Sequence, residues 1–182
     1  MSEAMRVFDL THQFEYYIYS SPFGTNPNLL FKTKSGKCTD EASFTIYLCR
    51  QLGIPAAYDF TPHWGNRSSS HSWSVLINEQ GKSMPFYMGN FPGDTAHYFN
   101  SYIKPKVFRY RYSMNKRIAL DMKYELDIPK LFQNPHFTDV TSEYCTTSDI
   151  ERPIPDKIKN NKIAYICVFD NRNWVCLLYT SD

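Results

Sequence analysis

The chain has 182 residues, of which 42% are hydrophobic, and this composition allows one packed domain with a smaller addition and argues against disorder. A formal net charge of +2 argues against a general nucleic-acid-binding protein. No apolar run approaches the ~18 residues of a membrane-spanning helix, and the first residues lack the pattern of a secretory signal.

Residues 1–35 have an aromatic and irregular pattern. The run FEYYIY at 14–19 fits a strand or the end of a helix. The run SSPFGTNPN at 20–28 is rich in Pro, Gly and Asn, which predicts a loop. The first clearly predicted element therefore begins only at Cys38.

The helical pattern that begins at Cys38 is the strongest signal in the chain. Ala42, Ile46 and Cys49 recur at helical spacing on one face. The Thr-Asp-Glu that follows the first residue supplies capping and acidic side chains where the helix dipole favours them. Gly53 is placed to end the helix in a left-handed conformation, and a proline follows two residues later.

Strand patterns follow the helix, with a polar loop and a tight turn between them. The predicted strands are IPAAYDF at 54–60, HSWSVLI at 71–77, SMPFYMGN at 83–90 and VFRYRYSM at 107–114. The polar loop is TPHWGNRSSS at 61–70, and NEQGK at 78–82 is the turn of a hairpin. A helix followed by antiparallel strands indicates an α+β fold rather than alternating βαβ units.

The run IAYICVFDNRNWVCLLY predicts a second β-hairpin, with its turn near Asn171. In that register Phe169 faces Trp174 and Cys167 faces Cys176. A disulfide between these two cysteines requires a non-hydrogen-bonded pair of positions, and two free buried thiols are the favoured alternative. The five cysteines of the chain form no CxxC zinc pattern.

The character of the sequence changes near residue 128, where prolines and a loop-forming run precede this second hairpin. We expect a core domain over residues 1–128 and a small all-β segment over residues 129–182. The strands of that segment are too few for a closed sheet. We therefore expect the segment to be cut short or to lean on the core.

Cys38 and His71 are the residues best placed to carry chemistry. A thiol reacts as its thiolate, a form favoured at a helix N-terminus, and Cys38 opens the helix just after a Gly-Lys turn. Cys49, deeper in the same helix, is expected to be inert. A cysteine nucleophile needs a base, and His71 opens a strand after a loop of small polar residues. Taken singly, each residue is more often a packing group, and a metal site formed by His63, His71 and Cys38 has no recognised spacing.

The order of these features resembles the transglutaminase-like superfamily over residues 36–90. The features are Gly-x-Cys opening a helix, then CRQLGIPAAY, TPHW, and HSW on a strand that leads into a hairpin. The longer chain is similar to a group of bacterial proteins, many of them exported, in which KVFRY, DVTSEY and YICVFDNRNW segments and a β-rich module follow. The resemblance implies a papain-like α+β core and thiol-based acyl transfer without a metal or other cofactor. The superfamily includes protein cross-linkers, peptidases and deglycosylating amidases, so a protein, peptide or glycopeptide substrate is implied.

The resemblance also implies a catalytic triad, in which Cys38 matches the nucleophile and His71 matches the base. In that mechanism His71 takes the proton of Cys38, giving a thiolate–imidazolium pair. The family places an acid at the end of the next strand, but SMPFYMGN contains none. Asn90 can orient an imidazole by accepting from its ring N–H and is the first choice for the third member. Asp94 is the second choice, and without either residue the site is a dyad.

Two functions from different classes remain open on the sequence. One is a cysteine hydrolase or acyltransferase, with Trp64 and Trp73 lining the acyl channel; Trp73 fits a core anchor of its strand equally well. The other is a catalytically inactive transglutaminase-like module that binds peptide or glycan. The 14 Tyr and 13 Phe and the missing acid favour the module, whereas the retained Cys38 and His71 favour the enzyme.

Overall fold

The computed structural model describes residues 3–17, 26–87, 101–124, 128–149, 153, 163–170 and 173–181. Two compact units divide the chain: Met1–Phe60 with His71–Tyr102 form the first, and Thr61–Ser70 with Ile103–Asp182 form the second. The predicted domain boundary at residue 128 stays a prediction, because the adjoining residues 125–127 lie outside the described ranges.

Two helices precede Cys38 in the first unit, α1 at Glu3–His12 and α2 at Pro27–Thr33. Helix α2 begins where the Asn26 side chain accepts hydrogen bonds from the N–H groups of Asn28 and Leu29. Its Leu30 packs with Phe14 and Phe44 in a buried cluster. The expectation of an irregular N-terminal stretch is therefore wrong for both helices, and this packing stabilises α2.

Helix α3 spans Cys38–Gln51, as its periodicity predicts. The residues predicted on one face, Ala42, Ile46 and Cys49, are buried. Gly53 adopts φ +70°, the left-handed conformation expected after the helix end. Just before α3, two short strands pair in parallel, β1 at Glu15–Tyr16 and β2 at Ser35–Gly36.

The strands predicted after α3 are present as β3 at Ala56–Thr61, β4 at His71–Ile77 and β5 at Ser83–Phe86. They lie in the order β5-β4-β3, and β4 and β5 pair antiparallel. Helix α3 packs against β4, which confirms the predicted α+β arrangement of a helix on an antiparallel sheet. Positions 88–90 of the predicted return strand lie outside the described residues.

The second unit contains an antiparallel pair of short strands, β6 at Phe108–Tyr110 and β7 at Phe137–Asp139. The strand predicted over 107–114 is therefore shorter than expected. A helix that the sequence reading missed, α4 at Lys116–Tyr124, begins where the Asn115 side chain accepts from the next N–H groups. Single 3-10 turns occupy Lys130–Gln133 and Thr141–Glu143.

The last element of the second unit is the hairpin of β8, Ile163–Phe169, and β9, Trp174–Ser181. The predicted register is confirmed, with Phe169 opposite Trp174 and Cys167 opposite Cys176. The register shifts between Ile166 and Cys167, which marks a β-bulge. None of the helices in the described ranges has the length and hydropathy needed to cross a membrane.

Candidate active site

The turn that leads into α3 fixes the position of Cys38. The backbone N–H of Lys37 donates to Oδ2 of Asp40, 3.0 Å away, so the carboxylate caps the helix start. A Cβ on Gly36 would lie only 2.6 Å from Cβ and Oδ2 of Asp40, so no larger residue fits there without movement. Cys38 is the first residue of α3 and is half-buried.

Strand β4 supplies the neighbours of Cys38 across the packed face of α3. The Ser74 hydroxyl donates to the Ala42 carbonyl at 3.3 Å, and the Ser72 hydroxyl lies 3.9 Å from Sγ of Cys38. Alternate residues of a strand share a face, so both serines point toward the helix. His71 directly precedes Ser72, so the same alternation turns the His71 side chain to the opposite face of β4.

The His71 ring lies on the face of β4 that it shares with Trp73, and it is 6% exposed. Its centroid is 5.9 Å from the stacked Trp73 ring and 4.7 Å from the edge-on Tyr87 ring. Burial lowers the pKa of His71 to about 4, because the apolar surroundings disfavour the charged imidazolium. At neutral pH the resting ring is therefore neutral.

The other residues predicted for the site lie in different surroundings. Trp73 is 0% exposed, which favours the core-anchor alternative over a wall of an open channel. Trp64 belongs to the second unit, where it is buried and the Lys104 ammonium lies 5.9 Å from its ring centroid. Asn90 and Asp94 lie outside the described residues, so the third member of the triad stays a prediction.

Tyr16 is a neighbour of the site that the sequence reading missed. The β1–β2 ladder places Tyr16 opposite Gly36, two residues before Cys38, and the side chain is 47% exposed. Partial burial, and then the charge of Cys38, raise the pKa of Tyr16 above its usual value. Its phenol therefore stays protonated near neutral pH and is able to donate a hydrogen bond beside the thiol.

Two sequence alternatives can be compared with the geometry. Cys49 is 1% exposed, and burial raises its pKa to about 11, as expected of an inert core thiol. His63 is held within the second unit, with Nδ1 2.5 Å from the Trp64 carbonyl oxygen and Nε2 3.8 Å from a carboxylate oxygen of Asp170. Among the described residues, no three His, Cys, Asp or Glu side chains are grouped to hold a metal ion.

Comparison with known proteins finds one family model that matches part of the chain. Residues 2–88, a little under half of the chain, match the family model described as the transglutaminase-like superfamily. The predicted resemblance is therefore confirmed for a stretch that contains both Cys38 and His71. No curated protein matches the chain.

Three solved structures are similar to the chain at low identity. A Cytophaga hutchinsonii protein, provisionally described as a cysteine protease, is 21% identical with a TM-score of 0.42; the match covers 58% of this chain and only 35% of that one. Legionella pneumophila LapG is 11% identical with a TM-score of 0.42, covering 62% of this chain and 67% of LapG. EGTA-treated LapG is 12% identical with a TM-score of 0.45, and the match covers 78% of this chain and 74% of LapG. These likenesses are distant, so the chemistry of the site rests on its own geometry.

Proposed function

We propose, from the match of residues 2–88 to the transglutaminase-like superfamily, that the chain is a thiol-dependent enzyme acting on amide or peptide bonds. Cys38 is the nucleophile and His71 the base. The family match carries this proposal. The contact between the Ser72 hydroxyl and Sγ of Cys38 places the start of β4 beside the thiol, while alternation along the strand turns the His71 ring to the other face. The neutral state of the buried His71 supports its role, since only neutral imidazole can accept a proton.

The first step forms a covalent acyl-enzyme. His71 takes the thiol proton as Sγ of Cys38 attacks the carbonyl carbon, and the oxygen gains the negative charge. Backbone N–H groups at the start of α3, that of Cys38 among them, are positioned to stabilise this oxyanion. The C–N bond then breaks, and the leaving amine takes the proton from His71.

The second step releases the acyl group to water, which is hydrolysis, or to an amine, which is cross-linking. Water or amine loses its proton to His71, attacks the thioester carbon, and the thiol is restored. Asn90, or Asp94 in its place, would accept from the ring N–H of His71 and hold the ring in the reactive orientation. Transfer to water and transfer to an amine both fit a protein, peptide or glycopeptide as substrate.

Acyl-enzyme trapping tests the proposal directly. The protein is incubated with p-nitrophenyl acetate, and the intact mass and peptide map are recorded for wild type, Cys38→Ser and His71→Ala. We expect one acetyl group on Cys38 of the wild type, slow acetylation in His71→Ala and none at that position in Cys38→Ser. Cys145, an exposed cysteine in the second unit, is the internal control for ordinary thiol reactivity.

The inactive binding module is the second candidate, and the enclosure of His71 between Trp73 and Tyr87 is the observation that favours it. A histidine confined in this way packs as a core group if it never reaches the thiol. Acetylation of Cys38 no faster than of Cys145, unchanged by His71→Ala, would contradict the enzyme. Binding of peptides or glycans without turnover would then establish the module.

A further inference from the structure

The β8–β9 hairpin brings two thiols together in a way that the proposed reaction does not use. Cys167 and Cys176 are directly opposite in the antiparallel register, and their Sγ atoms are 2.9 Å apart. A covalent S–S bond is about 2.0 Å long, so a shift of about 0.9 Å would join them. Both side chains are half-buried, which leaves them accessible to a small oxidant.

The ladder of the hairpin shows which kind of pair the two cysteines form. The Asp170 N–H donates to the Asn173 carbonyl at 2.8 Å, so these two residues close the hairpin as a hydrogen-bonded pair. Hydrogen-bonded and non-hydrogen-bonded pairs alternate along an antiparallel ladder. Cys167 and Cys176 are the third pair from the closing pair, which makes them a non-hydrogen-bonded pair. Cα atoms are closest at such pairs, about 4.5 Å apart, within the range of disulfides.

The β-bulge next to the two cysteines shifts the register of the strands between Ile166 and Cys167. Leu178 is opposite Ile166 and Cys176 is opposite Cys167, so Leu177 is the extra residue of β9. Leu177 is buried, and this burial holds the register on either side of the bulge in place.

Burial, and then the adjacent thiol of Cys167, raise the pKa of Cys176 to about 11, as expected where a second thiol stands next to it.

We propose that Cys167 and Cys176 are an oxidation site, at which a low-molecular-weight disulfide such as oxidised glutathione converts the two thiols into one cross-strand disulfide. The inference is independent of the chemistry at Cys38. One protein thiol attacks the glutathione disulfide, giving a mixed disulfide and one glutathione thiol. The opposite thiol then attacks the mixed disulfide and releases a second glutathione. Two protein thiols are oxidised, one glutathione disulfide is reduced, and both protons leave on glutathione.

Titration with mixtures of oxidised and reduced glutathione tests the site on the full chain. We expect the peptides of Cys167 and Cys176 together to lose two hydrogen masses, which accounts for two of the five thiols of the chain. Non-reducing peptide maps should join the Cys167 and Cys176 peptides. The internal disulfide should exceed the mixed adduct at this pair at least about tenfold, because the second thiol is already held next to the first. Cys145, an exposed cysteine, should form only the mixed adduct.

A second readout comes from the exposed aromatic pair on the same face of the hairpin. Phe169 and Trp174 are 63% and 68% exposed, and their ring centroids are 5.1 Å apart. Oxidation should change the fluorescence of Trp174 in wild type but not in Cys167→Ser or Cys176→Ser. Stable glutathione adducts on the two cysteines, or a pair still reduced when Cys145 is fully modified, would overturn the proposal. Either result is read on wild-type protein, so it does not depend on the folding of a variant.

Discussion

The two ends of α3 each carry a cysteine, and the same side chain meets opposite surroundings at each. Cys38, at the first residue, is half-buried and has the Ser72 hydroxyl 3.9 Å from its sulfur. Cys49, in the last turn, is fully buried, and burial raises its pKa to about 11. The difference shows that one helix holds the same residue type in a half-buried position at its start and in the core near its end.

The glycines that flank α3 repeat the contrast. Gly36 stands against Asp40, with no room for a Cβ, whereas nothing lies within 4 Å of a Cβ built on Gly53. The start of the helix is therefore held by close contacts, while its end needs only the left-handed backbone that glycine allows. Such close contacts are what a site needs if the position of one sulfur atom is to be fixed.

The largest expected effect comes from exchanging one cysteine at a time for serine. Cys38→Ser should lower acyl transfer at least about a thousandfold, since the nucleophile is lost. Cys49→Ser should leave acyl transfer unchanged and lower the free energy of unfolding by about 1–3 kcal/mol, because it buries a hydroxyl in the core. Turnover assays and urea unfolding of both variants measure this. Loss of activity in Cys49→Ser without unfolding would break the comparison.

The next effect is a pH dependence of the free energy of unfolding that arises from His71. The folded pKa of His71 is lowered from 6.5 to about 4, so the unfolded chain binds the extra proton first as the pH falls. Stability present above pH 6.5 should decline toward pH 4 by up to about 3 kcal/mol, at about 1.4 kcal/mol for each pKa unit. Urea unfolding of wild type and His71→Gln across this range measures the change. Identical pH dependence in both proteins would contradict a buried neutral His71.

Alanine at the two flanking glycines gives an intermediate effect. Gly36→Ala should cost about 2 kcal/mol, because the new Cβ must displace Asp40, and should also slow alkylation of Cys38. Gly53→Ala should cost about 1 kcal/mol from its positive φ and leave the alkylation rate unchanged. Thermal unfolding and timed alkylation separate the two outcomes. Equal effects of both variants on the alkylation rate would contradict the fixed start of the helix.

The smallest expected effect concerns two neighbouring tyrosines. The charge of Cys38 contributes to the raised pKa of Tyr16, whereas the Tyr17 hydroxyl donates to Glu15 at 3.0 Å. Tyr16→Phe should lower the acyl-transfer rate about three- to tenfold through loss of one hydrogen-bond donor beside the thiol. Tyr17→Phe is the matched control and should leave the rate unchanged. A similar rate change in both variants would assign the effect to packing of β1.

Long, regular patterns are where the sequence predicted the structure well. The spacing of Ala42, Ile46 and Cys49 predicted α3, and strand alternation around a short turn predicted the pairing of Cys167 with Cys176. Both signals are local, since one helix face or one turn sets the register.

Short elements and contacts distant in sequence were not predicted. Helices α1, α2 and α4 are only 10, 7 and 9 residues long, and their aromatic or charged composition hid the periodicity. The asparagine caps at Asn26 and Asn115 were the readable signals for two of them. Tyr16 reaches the site only through parallel pairing of β1 with β2, which no local sequence pattern predicts.

The most direct test of the account compares alkylation rates within one native sample. The protein is treated with iodoacetamide at pH 7, quenched at intervals, and all five cysteines are followed by peptide mass mapping. We predict that Cys38 reacts at least about tenfold faster than the exposed Cys145, and that Cys49 does not react until the protein unfolds. Cys38 reacting no faster than Cys145 would show that the start of α3 does not activate its thiol, and would contradict the nucleophile assignment.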